Sequence, residues 1–149
     1  MKKAQIQDYL YKHIPVTKAL GVEPVEFSSE AVKFSAPLSN NINHRSSAFG
    51  GSISSVLITT CWAYLRLIFD ETNPVPRIVI ASSSTKYFRP ILSDFTSELI
   101  LPDKEDLQKF IEIFEQFGKS RITLRAQIKD GETVQAHFNG DFVVMRNLQ

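Results

Sequence analysis

At 149 residues with a formal net charge of +1, the chain can bury one substantial core and has no charge excess to draw it to nucleic acid or an anionic membrane. Its composition is globular and rich in phenylalanine, with 11 Phe, and its basic residues are scattered. The single cysteine, Cys61, excludes an internal disulfide, and three scattered histidines give no metal-ligand spacing, so no metal is expected.

The opening residues, Met1 to Asp8, lack an apolar signal segment, which leads to the expectation of a cytoplasmic protein with a single domain over residues 1–149. Residues 3–13 place Ile6, Tyr9, Leu10 and Ile14 at helical spacing and predict a short amphipathic helix ending before Pro15. Val16 to Leu20 adds a turn stopped by Gly21. From Val22 to Pro37 the period falls to two. Val25 and Phe27 lead to a polar Ser28-Ser29-Glu30, and Val32, Phe34 and Ala36 then alternate with Lys33 and Ser35. That pattern predicts a two-stranded hairpin. Leu38 to Ser47 is predicted as loop.

Ile53 to Phe69 is too long for a strand and apolar on nearly all faces, so it predicts a helix buried on most sides, running to about Asp70. It falls short of a comfortable membrane span, and Arg66 lies near its end, so a core position is expected. Glu71 to Pro74 breaks it. Val75 to Tyr87 reads as a strand that begins apolar at Ile78 to Ala81 and becomes small and polar from Ser82 to Lys86. Arg89-Pro90 marks a bend before a further strand, Phe95 to Leu101. Leu107, Phe110, Ile111, Phe114 and Phe117 predict a surface helix opened by Pro102-Asp103 and closed by Gly118. Two long alternating strands follow, Ser120 to Ile128 and Thr133 to Met145, joined through Asp130-Gly131.

This order predicts an α+β layer architecture, a mostly antiparallel sheet with one central apolar helix. A single sheet wrapped on one helix leaves an edge strand exposed, which favours pairing with a second copy.

The candidate chemistry gathers where a polar loop meets the start of the central helix. Gly50 and Gly51 let a ligand approach the first free amides of that helix, at the positive end of its dipole. Asn43 offers an amide that can orient water, or that can simply close a turn, as Asn40 and Asn41 are expected to do. His44 is the one imidazole of the loop and its ready general base. Ser52, Ser55, Thr59 and Thr60 set hydroxyls along the helix, to place a water or to bond back to helix carbonyls.

The strand pair, the Pro37-Leu38-x-x-Asn41 loop, the Phe49-Gly50-Gly51-Ser52 helix start and the Tyr87-Phe88-Arg89-Pro90 bend together resemble a hotdog-fold thioesterase. Within that group the likeness is to the thioesterase-like domain at the C-terminus of YiiD-type proteins. It covers roughly Leu20 to Asn147 and is most specific over Asn43 to Ser52. The resemblance implies an antiparallel sheet wrapped around a long central helix, and a homodimer or homotetramer. It also implies a cleft at the dimer interface that takes acyl thioesters of coenzyme A or acyl carrier protein, with no cofactor.

In better-known relatives a His-Gly-Gly triplet starts the helix, a backbone amide there polarises the thioester carbonyl, and an acid two turns on activates water. Here Phe49 and Ile58 stand at the His and acid positions. The likeness points to Gly50 and Gly51, and by spacing to Asn43, and the residues themselves add His44, Thr59 and Thr60 to complete the candidate catalytic set. Substrate contacts fall to Phe49 and Ser52, to Ser83 and Ser84 on a strand from the partner subunit, and to Lys86 and Arg89 near coenzyme A phosphates. Phe49, Tyr64 and Phe88 either line an acyl pocket or fill the core. With no acid on the helix, a non-catalytic acyl-thioester binding module is the alternative. A hydroxyacyl-thioester dehydratase is weaker, since only His44 serves its need for a histidine and an acid.

Overall fold

The helical and alternating patterns resolve, in a computed structural model describing residues 1–147, into the predicted elements with one addition. Helices α1 (Lys3–His13) and α2 (Val16–Leu20) precede the hairpin β1 (Glu23–Ser28) and β2 (Ala31–Ala36). A four-residue helix, α3 (Leu38–Asn41), opens the segment expected to be all loop, and α4 (Gly50–Ile68) follows. Then come β3 (Arg77–Tyr87), β4 (Phe95–Ile100), α5 (Lys104–Phe117), β5 (Lys119–Asp130) and β6 (Thr133–Met145).

The six strands form one antiparallel sheet in the order β1-β2-β4-β5-β6-β3, and α4 packs across all of them. The predicted α+β architecture is therefore the observed one. Val56, Leu57, Cys61 and Leu65 of α4 share a single buried core with Phe34, Leu124, Phe138 and Phe142 of the sheet. Each such large side chain contributes about 1.5–3 kcal/mol on burial. The packing is tight at Gly140, where an added Cβ would lie 2.6 Å from Phe138 Cζ and 2.9 Å from Phe142 Cε2. By length and mean hydropathy (19 residues, 1.2) α4 matches a membrane span, yet the sheet wraps it as a core helix.

Two side chains depart from expectation. Arg66 is buried within α4, where Asp70 accepts from its Nη1 at 3.0 Å and the Tyr9 ring lies 5.2 Å beneath its guanidinium. Phe117, on the apolar spacing of α5, is 70 % exposed. That helix ends at Phe117, and Phe110 and Phe114 make the contacts with Phe69, at ring distances of 5.8 and 4.8 Å.

What positions the site is the way α4 lies along β3. Tyr87 Oη donates to the Gly50 carbonyl (2.9 Å), Thr85 Oγ1 to Ser54 Oγ (3.3 Å), and Trp62 Nε1 to the Ile78 carbonyl (3.2 Å). Gly50, Ser54, Ile58 and Trp62 recur every fourth residue and so form one stripe, and α4 runs antiparallel to β3. Among the described residues β3 pairs with β6 alone, which leaves its outer edge without a partner strand there.

Candidate active site at the start of the central helix

The loop before α4 is folded by Asn43. Its Oδ1 accepts from the Arg45 and Ser47 amides (2.9 and 3.1 Å), and its Nδ2 donates to Ser47 Oγ at 3.0 Å. With both ends of its amide engaged, Asn43 closes a turn, as Asn side chains do. The catalytic reading of Asn43 gives way to that structural one. Asn40 and Asn41 tie the next layer, donating to the Ala19 carbonyl and to the Leu20 and Pro37 carbonyls. His44 stands exposed on the same loop and has no hydrogen bond among the described residues.

The loop then hands the chain to α4. The Ala48 amide donates to the Ile91 carbonyl (2.8 Å), and the Phe49 amide to the Asn41 carbonyl (2.7 Å). Phe49 is the N-cap residue, no side chain caps the helix, and its first turn has no acidic residue. The amides of Gly50, Gly51 and Ser52 therefore begin α4 without the partners that later helix amides have. A cleft of about 260 Å³ opens there, lined by Gly50 and Ile53 of α4 and by Tyr87, Phe88 and Arg89. Phe49 and Phe88 are both more than half exposed at this end of the helix. A Cβ on Gly51 would come within 2.5 Å of the Phe49 ring, whereas one on Gly50 would stay 3.6 Å from Tyr87. The bend carrying Arg89 is anchored through the Phe88 and Arg89 amides, which both donate to the Gln135 carbonyl (2.9 and 3.3 Å).

Of the residues singled out from the sequence, Gly50, Phe88 and Arg89 line this cleft, and Phe49, Gly51 and Ser52 flank Gly50 in the chain, whereas Thr59 and Thr60 lie apart from it. Thr60 is wholly buried, its hydroxyl on the Val56 carbonyl and on Ser97 Oγ of β4 (2.9 and 2.8 Å), so it faces the sheet and cannot reach a ligand. Thr59 is 8 % exposed and donates back to the Ser55 carbonyl at 2.8 Å. Both hydroxyls satisfy helix carbonyls, the second of the two roles open to them. Tyr64 is core.

Ser84 and Lys86 need correction too. The ladder between β3 and β6 shifts between Ile80 and Ser82, after which Ser82, Ser84 and Lys86 pair with Asp141, Asn139 and His137. Those β6 residues alternate with the buried Phe138, Gly140 and Phe142, so Ser84 and Lys86 share the sheet face turned away from α4. Ser83, opposite Gly140, lies on the α4 side.

Two residues that sequence reasoning passed over now stand out. Tyr87 follows Thr85 by alternation onto the α4 side, but only past the register shift between Ile80 and Ser82, which the strand pattern in the sequence does not show. Asp141, on the far face, accepts from Thr123, from Ser82 Oγ (2.8 Å) and from Arg121 Nη2 (3.1 Å). The Thr123 bond first, then those of Ser82 and Arg121, hold its carboxyl below the usual carboxylate range. It is a clamp across β3, β6 and β5, turned away from the cleft.

On α4 itself no carboxylate occurs, and Ile58 holds the stripe position beside β3. Burial pushes the Cys61 thiol far above its ordinary range, which leaves it inert as a nucleophile. Among the described residues, no group of three or more His, Cys, Asp or Glu could hold a metal ion. A larger hollow of about 440 Å³ lies between α5 and β5, lined by Lys109, Arg121 and Arg125 with Asp103 and Asp106. It contains none of the candidate catalytic or substrate-binding residues.

Comparison with known proteins bears on this geometry. Residues 3–146 match the family described as "Putative thioesterase (yiiD_Cterm)". A crystal structure of a protein of unknown function from Chlorobaculum tepidum is 28% identical, with a TM-score of 0.90 over 97% of this chain and 94% of that one. The "putative thioesterase" of Shewanella oneidensis is 26% identical, with a TM-score of 0.81 over 96% of each chain. A thioesterase from Haemophilus influenzae, at 13% identity, shares the fold with a TM-score of 0.75 over 100% of this chain and 94% of its own. The fold is the hotdog fold, as the resemblance implied.

Proposed function

The chain belongs to the yiiD C-terminal thioesterase family, and on that premise we propose that it hydrolyses an acyl thioester of coenzyme A or of an acyl carrier protein at the start of α4. The observation that carries this reading is an uncapped first turn of a buried helix opening on a cleft that also holds Tyr87 and Arg89. Water adds to the thioester carbonyl carbon, and the carbonyl electron pair moves onto oxygen. The amides of Gly51 and Ser52 donate to that oxyanion, with the helix dipole behind them. The C–S bond then breaks, the thiolate leaves and takes up a proton, and a carboxylic acid and a free thiol result. Only water is consumed, so the reaction as proposed needs no cofactor.

Arg89 supplies the cation for the phosphate of the carrier. Phe49 and Phe88 supply apolar wall for the acyl group, and Ser83 of a second copy closes the cleft along the free edge of β3. The assembly proposed is a homodimer through that edge, alone or doubled into a tetramer. With Asn43 committed to its turn, His44 is the group assigned to activate water.

One observation favours a second reading. With Ile58 on the stripe and no carboxylate on α4, the same pocket would serve a binding module that holds an acyl thioester without cleaving it. Thiol release from a panel of acyl-coenzyme A and acyl-carrier thioesters separates the two. The enzyme reading expects turnover on at least one of them at rates well above the spontaneous one. Tight binding of an inert analogue with no thiol release from any member leaves the binding module.

A further inference from the structure

A peptide group has two ends, and what binds its carbonyl alters what its N–H can do. The Gly51 N–H belongs to the same peptide group as the Gly50 carbonyl, and the Ser52 N–H to the same group as the Gly51 carbonyl. Both of these carbonyls carry a side-chain hydroxyl. Tyr87 Oη donates to the Gly50 oxygen at 2.9 Å, and Ser55 Oγ donates to the Gly51 oxygen at 2.8 Å. A hydrogen bond accepted by a carbonyl withdraws charge through the amide and makes the attached N–H a stronger donor, by about 10–30% per bond in condensed-phase estimates.

The same bonds address a second weakness of this helix start. Glycine has the greatest backbone freedom of any residue, helix ends fray, and here neither a capping side chain nor a first-turn acid steadies the turn. Among the described residues, Tyr87 is the side chain that hydrogen-bonds the first turn from outside the helix, tying the Gly50 carbonyl to the end of β3. It is 52 % exposed, so its hydroxyl bond is not a by-product of core packing.

We propose that Tyr87 and Ser55 are positioning residues of the thioesterase site, which orient and polarise the two peptide groups whose N–H ends receive the oxyanion. Neither hydroxyl touches the reacting carbonyl. Each acts through the amide, and so contributes where charge has developed, in the transition state rather than in the bound substrate. This inference rests on the hydrolytic reading above.

The test uses Tyr87→Phe and Ser55→Ala in the full chain, with thiol release read as kcat and KM alongside the melting temperature. Tyr87→Phe keeps the ring, and Ser55→Ala places a better helix former, so neither removes packing. Each variant is expected to lose about tenfold or more in kcat, since slight misplacement of an oxyanion donor is costly. KM should stay within about twofold and the melting temperature within a few degrees, a split that a merely structural role would not produce. If either variant keeps the parental kcat while the unmutated protein is active, the inference is overturned and the hydrolytic reading stands. A loss of kcat that tracks a fall in melting temperature overturns it in favour of a stabilising role. If the unmutated protein releases no thiol from any thioester, the hydrolytic reading fails and takes this inference with it.

Discussion

Gly51→Val is expected to abolish thioester turnover while leaving the fold nearly intact. Gly51 sits in the open first turn of α4, exposed, and an added Cβ would stand 2.5 Å from the Phe49 ring. That ring is 57 % exposed and can swing aside at little cost to the core. Valine is also the better helix former by roughly a few tenths of a kcal/mol, which offsets part of the displacement. The activity has no such escape, because the isopropyl group then fills the approach to the Gly51 and Ser52 amides. Loss of one oxyanion donor costs about a hundredfold to a thousandfold in kcat, and a blocked approach should cost at least that. Thiol-release kinetics and a thermal melt on the same preparation check it. A folded variant with parental activity means that the oxyanion does not form at this helix end.

Ile80→Lys is expected to turn a dimer into monomers and to remove most of the activity with it. β3 is an 11-residue strand hydrogen-bonded on one side only, and Val79 and Ile80 are each 37 % exposed along it. A long apolar edge invites a second strand, and a lysine on an edge is a device that prevents such pairing. The stripe Gly50, Ser54, Ile58, Trp62 lies beside the same strand, so the surface that a second copy would cover adjoins the cleft. Light scattering at micromolar concentration should show the parent at twice the chain mass, or four times if the dimer is doubled, and the variant at half the parent mass or less, with turnover reduced by about tenfold or more as the cleft loses its second wall. A parent protein that is already monomeric and active contradicts the shared site.

The fold was largely legible in the sequence because its signals are long and regular. The apolar run after Gly51 could only be a buried helix, and the alternation over Ser120 to Met145 could only be paired strands. The candidate site proposed at the glycine pair is defined by backbone, so the sequence could point to it without any side-chain geometry. It was misread where a side chain had local alternatives. Asn43, Thr59 and Thr60 all satisfy nearby backbone groups, and sequence alone does not say whether a hydroxyl or amide turns inward to the chain or outward to a ligand. Ser84 and Lys86 failed for another reason. Alternation counted from the inward-facing Ile78 and Ile80 puts Ser84 and Lys86 on the α4 side, and the register shift between Ile80 and Ser82 reverses that count. Tyr87 went unassigned because its role depends on α4 lying against β3, a long-range contact with no local trace.

The most direct test of the site is a crystal structure of the protein with a thioester-oxyanion analogue on a coenzyme A carrier. The account predicts the anionic oxygen about 2.7–3.1 Å from the Gly51 and Ser52 amides. It also predicts Tyr87 still bonded to the Gly50 carbonyl and a carrier phosphate near Arg89. An analogue seated in the hollow between α5 and β5, or one whose oxygen turns away from the start of α4, would contradict it.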